Sequence, residues 1–399
     1  IVENSGTNLL GASTANSLSL TANGIIQDDP GATLVVTNNA AFSAGANAIT
    51  LDNAASNTYG TLTFNSTAAV TIVENDATIF AGVSTADSLI LTSAAGITGN
   101  AGTSLTVTNN ANFSGTSITL AAAETYSFGS LRFNSGGAVS ISEDGATILS
   151  GGSTASSLVL SSSLSITDDG SANLTVGTNA NFSGPGGITL DDTYSFGTLT
   201  FTSAAGLVTI VEANATNLAG VSTAGILALT SLGTITGAAD GTTSLTVGLA
   251  ASFTGTSITL AAADTYNFGT LTFNSAGAVS ISEDSDTVLS GISTAFSLVL
   301  ASTAGIVGIT GDGSANLAVT NNASFSGANI TLAAADIYLF GSLTLNSAGN
   351  VVVFEDDGTL LSGASVVAGD LTVTSAGTIA DAAGATITAG GIEDGAQTA

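Results

Sequence analysis

No cysteine, histidine, lysine, methionine or tryptophan occurs in the chain, and Arg132 is its only basic side chain. Without thiols there is no disulfide framework, and without thiols or imidazoles there is no zinc-type metal centre. The same absences exclude a Ser-His-Asp relay and a Schiff base. One arginine cannot clamp phosphates. Set against 29 Asp and Glu it leaves a formal charge of −28, which repels nucleic acid instead of neutralising it. Charge of either sign is sparse, at 8% of residues against about a quarter in ordinary domains. No apolar run approaches the roughly 18 residues of a membrane-crossing helix. The opening Ile1-Val2-Glu3-Asn4 has none of the charged, apolar and small-residue pattern of a signal peptide. Most enzyme classes are thereby excluded, and what the residues specify is architecture.

What the chain has in quantity is apolar and small polar residues in repeats. Its 399 residues would ordinarily make two or three domains, and 44% apolar content is enough to bury a core. The phrase that opens the chain returns at Ile72-Val73-Glu74-Asn75, Ile141-Ser142-Glu143-Asp144, Ile210-Val211-Glu212-Ala213, Ile281-Ser282-Glu283-Asp284 and Val353-Phe354-Glu355-Asp356, at spacings of 71, 69, 69, 71 and 72. Each full unit carries one tyrosine (Tyr59, Tyr126, Tyr194, Tyr266, Tyr338) and a marker phenylalanine (Phe42, Phe113, Phe182, Phe253, Phe325). The units run about 1–70, 71–139, 140–208, 209–279 and 280–351, with a partial sixth over 352–399, and together read as one continuous solenoid over 1–399. Gly115 to Asp144 and Gly255 to Asp284 agree at 25 of 30 positions, as recent duplication would produce.

Within a unit, short phrases such as Leu89-Ile90-Leu91, Leu105-Thr106-Val107, Ile118-Thr119-Leu120 and Val139-Ser140-Ile141 alternate apolar residues with Thr or Ser. Period two marks a strand with one buried face. No stretch has helical periodicity. The joints, such as Asn109-Asn110 and Asp168-Asp169-Gly170, hold residues that suit turns. Strands of three to five residues between tight turns fit an all-β parallel β-solenoid, in which each coil pairs with the next, better than a sandwich. About three coils per unit predicts roughly 17 coils and, at ~4.8 Å each, a rod on the order of 80 Å long. Outer-membrane barrels, with aromatic girdles and strands of about ten residues, do not fit.

The phrases Leu105-Thr106-Val107-Thr108, Ser117-Ile118-Thr119-Leu120-Ala121-Ala122-Ala123, Tyr126-Ser127-Phe128-Gly129 and Ala138-Val139-Ser140-Ile141 resemble the filamentous-haemagglutinin-like and autotransporter-type repeats of very large bacterial surface and secreted proteins. The resemblance spans the whole chain and is compositional. It implies a right-handed β-helix displayed outside a bacterial cell, extracellular or on the cell surface, acting as a stalk, adhesin or fibre component that meets host or matrix glycans. The secretion domain, the translocator barrel and any Arg-Gly-Asp tripeptide are missing from these residues, since Phe133 follows Arg132.

Four features invite a chemical reading. Glu3, Glu74, Glu143, Glu212, Glu283 and Glu355 close a strand in every unit, with further acids at Asp76, Asp286 and Asp357. They read first as solvated turn acids. The alternative makes Glu74, Asp76, Glu143, Asp144, Glu283 and Asp284 candidate ligands for Ca²⁺, the one cofactor the chain could hold, although one or two acids per turn rarely supply the usual six to eight oxygens. The pairs Asp191-Asp192 and Asp168-Asp169 are the candidates for glycoside hydrolysis, but no region departs from the repeat as an added active site would, and a lyase would have only Arg132 as its basic group. The tyrosines lie about three coils apart, ~14 Å, too far for rings to stack on one another, so packing is their expected role. Outward Thr106 and Thr108 form the kind of pair an ice-binding face would need on every coil, and most coils lack it.

The sequence therefore predicts a non-catalytic, extended acidic rod, stalk or filament, with a Ca²⁺- or glycan-binding surface module as the alternative and a polysaccharide-active β-helix enzyme as a distant third. It starts in mid-unit at Ile1 and stops within a sixth unit, and the tail Gly390-Gly391-Ile392-Glu393-Asp394-Gly395 is only mildly divergent. Uncapped coil edges of that kind predict self-association, through a longer chain or head to tail.

Overall fold

A computed structural model describes residues 1–53 and 57–392. The tail reading at Glu393, Asp394 and Gly395 lies outside these residues. Among the described residues there is no helix, and every strand pairing is parallel, in a β-solenoid of about 18 turns with about 21 residues per turn. The chain divides into two compact units, Ile1–Gly197 and Thr198–Ala399. Among the described residues, therefore, no helix is long and apolar enough to cross a membrane.

In the first unit the strands Ser104–Ser114, Thr125–Asn134 and Ala138–Glu143 show how alternation becomes a core. Leu105 and Val107 stack on Tyr126 and Phe128 of the next turn, and Ala111 and Phe113 on Leu131 and Phe133. All eight are buried, and burying a large apolar side chain stabilises by about 1.5–3 kcal/mol. Phe113 meets Phe128 edge-on, centroids 5.5 Å apart, the arrangement that ring quadrupoles favour. The second unit repeats this with Ser244–Thr254 and Thr265–Asn274, where Phe253 and Phe268 are 5.4 Å apart.

These strands are longer than the three to five residues expected. A strand such as Ser104–Ser114 keeps its pairing through the corner, where the register against the next strand shifts between Val107 and Asn110. Asn109-Asn110 is therefore a bulge inside one strand and not a joint between two, since a bulge bends a strand without ending it. Gly129 packs opposite it, and a Cβ there would overlap the Thr108 and Asn109 carbonyls.

The repeat and the turn have different lengths. Spacings of 69 to 72 residues over turns of about 21 make each unit about 3.3 turns. From Val70 the stack runs through Leu89, Ala111 and Leu131 to Leu149. Val139, the repeat equivalent of Val70, instead stacks on Ile118, Ile97 and Thr78. In the second unit Val208 leads to Leu271 and Leu289, whereas its equivalent Val279 stacks on Ile258, Ile235 and Thr216. Equivalent residues of successive repeats thus turn to different sides.

Arg132 lies in the strand Thr125–Asn134, its backbone paired with Asn112 and its Nε donating to the Gly152 carbonyl oxygen at 2.8 Å. A protease needs an extended, unpaired segment, so trypsin is expected to leave the native chain intact and to cut it once after unfolding. Gel analysis after prolonged native digestion checks this, and rapid cutting at Arg132 would show that strand to be unpaired.

Candidate functional site

Alternation carries the repeated glutamate inward. In Ala138–Glu143, Val139, Ile141 and Glu143 share the buried face, because side chains two apart lie on one side of a strand. Glu74, Glu143, Glu212, Glu283 and Glu355 are all 2% exposed or less, and only Glu3 is exposed. The reading of these residues as solvated turn acids is therefore corrected: five of the six sit in the core.

A buried carboxyl needs donors, and each of these has at least one, although Glu355 Oε2 is left without a partner. The Phe128 N–H donates to Glu143 Oε1 at 2.8 Å and the Thr147 hydroxyl to Oε2 at 2.9 Å. Glu74 receives the Tyr59 N–H at 2.8 Å and the Thr78 hydroxyl at 2.7 Å. Glu283 receives the Phe268 N–H at 2.9 Å, the Thr287 hydroxyl at 2.8 Å and the Ser285 hydroxyl at 2.8 Å. The Phe340 N–H donates to Glu355 at 3.1 Å, and the Thr216 hydroxyl to Glu212 at 2.7 Å. The following acid completes the pattern: Asp144 accepts the Tyr126 N–H at 2.8 Å, Asp284 that of Tyr266 at 3.0 Å and Asp356 that of Tyr338 at 2.8 Å. A Glu-Asp pair thus satisfies alternate N–H groups of the preceding turn, groups that otherwise would be left without partners.

Burial penalises the charged form of these carboxyls more than the donors favour it. Desolvation pushes Glu74 up to about 8 and Glu143 and Glu355 up to about 7, with neighbouring Asp76, Asp144 and Asp357 adding repulsion. Glu283 is raised by the same cause.

The six residues read from the sequence as Ca²⁺ ligands do not share one arrangement. Glu74, Glu143 and Glu283 point into the core onto protein donors, Asp144 and Asp284 hold main-chain N–H groups, and Asp76 is exposed. A metal that binds the folded state raises its stability by mass action. Since protein donors already hold the three glutamates and one oxygen each of Asp144 and Asp284, millimolar Ca²⁺ and excess chelator are expected to give the same melting temperature. A rise with Ca²⁺ would contradict this.

Among the described residues the one group of three carboxylates with ligand atoms within 4.8 Å of one another is Asp168, Asp191 and Asp192. The sequence pairs are thus partly reassorted. Asp168 joins Asp191 and Asp192, while Asp169 closes a turn by accepting the Ser171 N–H at 2.9 Å and hydroxyl at 2.7 Å. Asp168 Oδ2 accepts the Tyr194 hydroxyl at 2.6 Å and the Asp191 N–H at 2.9 Å, and Asp192 accepts the Ala172 N–H at 2.9 Å. Asp192 occupies the position of Asp336, which holds the Ala315 N–H at 2.9 Å in the same way. The Asp168 charge, with lesser desolvation, raises Asp191 above the usual carboxylate range. Two of the three acids therefore hold main chain.

The tyrosines are core residues, 2% exposed or less. Their hydroxyls meet Asp168, Asp264 and Asp336 from Tyr194, Tyr266 and Tyr338, at 2.6, 3.1 and 3.1 Å. Tyr59 differs. It stacks on Val36 as Phe128 stacks on Val107, while Asn57 stacks on Leu34 as Tyr126 stacks on Leu105. Tyr59 is thus the structural equivalent of Phe128 and not of Tyr126. The signal was present in the glycine that follows, Gly60 or Gly129.

Residues 1–65 and 136–204 match a family described as repeats of unknown function (DUF5649). No curated protein and no solved structure matches the chain. Both matched segments carry the same acid pair at one corner: the Asp52 N–H donates to Asp28 Oδ1 at 3.2 Å, as the Asp191 N–H donates to Asp168.

Proposed function

We propose that the chain is a stretch of non-catalytic structural scaffold from the bacterial exterior, serving a surface stalk or fibre. The observation that carries this reading is the fate of its most repeated polar residues, since the Glu-Asp pairs hold main-chain N–H groups between turns and are not presented to a ligand. A second observation agrees with it. Because a repeat is about 3.3 turns long, equivalent residues turn to different sides, so repetition extends the core without building one flat binding face. Placement outside the cell rests on the resemblance of the repeats to bacterial surface and secreted proteins.

The test is an activity screen of the purified chain on neutral and acidic polysaccharides, joined to surface labelling of intact cells of the source bacterium. No bond cleavage and labelling without permeabilisation are expected. Turnover abolished by Asp191→Asn would overturn the scaffold reading, and labelling only after permeabilisation would overturn the location.

A further inference from the structure

We propose that the groove beside Phe296 binds a neutral glycan, a sugar face resting on the Phe296 ring and its hydroxyls bonding to the ladder of Thr254, Asn274 and Thr294. Of the 21 aromatic side chains, all within the described residues, Phe296 alone is exposed, at 49%. It interrupts a rule of the repeat: the equivalent positions hold Asp87, Ser156 and Gly225. Its backbone is fixed on both sides, the Phe296 N–H donating to the Gly277 carbonyl at 2.9 Å and its carbonyl accepting the Asn321 N–H at 2.7 Å. The ring is thus carried by an ordered main chain and not by a loose loop.

Beside it runs a groove of about 620 Å³, lined also by Leu232 and Thr256, a size ordinary for small-molecule sites. Thr254, Asn274, Thr294 and Ala318 stack in register along it, so hydroxyl and amide groups recur at the strand spacing of about 4.8 Å. The Thr294 hydroxyl donates to Asn274 Oδ1 at 3.2 Å, which orients the amide. No ionisable side chain is among the described lining residues, on a chain whose formal charge is −28. An acidic ligand would be repelled by the whole molecule and a cation would find no carboxylate here, which leaves a neutral ligand. An aromatic face attracts partly positive C–H groups, and hydroxyls and amides bond hydroxyls of either sense. A neutral sugar carries both features.

The repeat supplies an internal control. A similar groove at Ser114, Thr116 and Asn134, about 550 Å³, lacks an aromatic wall, and the residue at the Phe296 position in that repeat's neighbour is Ser156. The inference stands apart from the scaffold reading, since a sugar can bind without being cleaved.

The experiment is calorimetric titration of the full chain with oligomers of β-linked glucose and of β-linked N-acetylglucosamine, with oligogalacturonate as the acidic probe. Saturable binding of a neutral oligomer is expected with a Kd on the order of 1 mM. F296S should weaken it about tenfold or more, worth about 1.4 kcal/mol, at an unchanged melting temperature, and F296W should retain it. Cleavage of a bound oligomer would overturn the scaffold reading and support the groove. No saturable binding by either neutral oligomer, equal binding by F296S, or a preference for oligogalacturonate would overturn the proposal.

Discussion

Raising the pH from about 5 to about 9 is expected to lower the melting temperature of this protein, the reverse of what a surface-acid protein held by salt bridges would do. The cause is the buried glutamate. Glu74 is raised from an ordinary 4.5 to about 8 and Glu143 and Glu355 to about 7. The folded state therefore binds these protons more tightly than the unfolded chain. Their contribution is fully present below the unfolded value of 4.5 and is lost as pH rises through 7 to 8. Each tenfold difference in proton affinity is worth about 1.4 kcal/mol, so the sites together contribute on the order of several kcal/mol, and the expected fall is on the order of 10 °C. Glu143→Gln keeps an acceptor for the Phe128 N–H and removes one titration, so it should flatten the profile. Thermal scans by circular dichroism check this, and a melting temperature that rises steadily across this range would contradict the burial.

The second large effect is expected from one added methyl group. A Cβ on Gly129 would overlap the Thr108 carbonyl oxygen, and one on Gly269 the Leu249 carbonyl oxygen, each at the register shift of the neighbouring strand. The obstacle is main chain in a strand paired with a neighbour on each side, and it cannot rotate away as a side chain could. Gly129→Ala and Gly269→Ala should each cost about 3 kcal/mol or more. Gly136→Ala is the control, since nothing lies within 4 Å of its added Cβ and its φ is not positive, and it should stay within about 1 kcal/mol of the parent. Denaturant unfolding compares them. Equal stabilities would mean that the bulges do not hold the turns this closely.

The parallel solenoid was legible because alternation and a long repeat are both written in residue type. What was not legible followed from geometry that residue type hides. The glutamates look like turn acids when judged by charge, yet the phrase Val139-Ser140-Ile141-Ser142-Glu143 continues its period to the last residue, and following that period would have placed Glu143 inside. Composition makes a corner look like a break, because Asn109-Asn110 is turn-like, whereas a parallel ladder tolerates such a pair as a bulge. Residue type pairs Tyr59 with Tyr126, although distance from the glycine sets the register. The gathering of Asp168 with Asp191 and Asp192 depends on a turn length of about 21 residues, which the longer repeat masks. Phe296 stands out in sequence only once Thr-Ala-x is aligned across units, at Thr85-Ala86-Asp87, Thr154-Ala155-Ser156 and Thr294-Ala295-Phe296.

The repeated acid emerges as a structural, proton-holding clamp between turns. Infrared difference spectroscopy tests it most directly, because a protonated carboxyl has its own carbonyl stretch. A protonated-carboxyl band is expected that persists at neutral pH, disappears as the pH passes through 7 to 8, loses intensity in Glu143→Gln and does not respond to Ca²⁺. Carboxyls already fully ionised by about pH 6, or a band abolished by Ca²⁺, would contradict it.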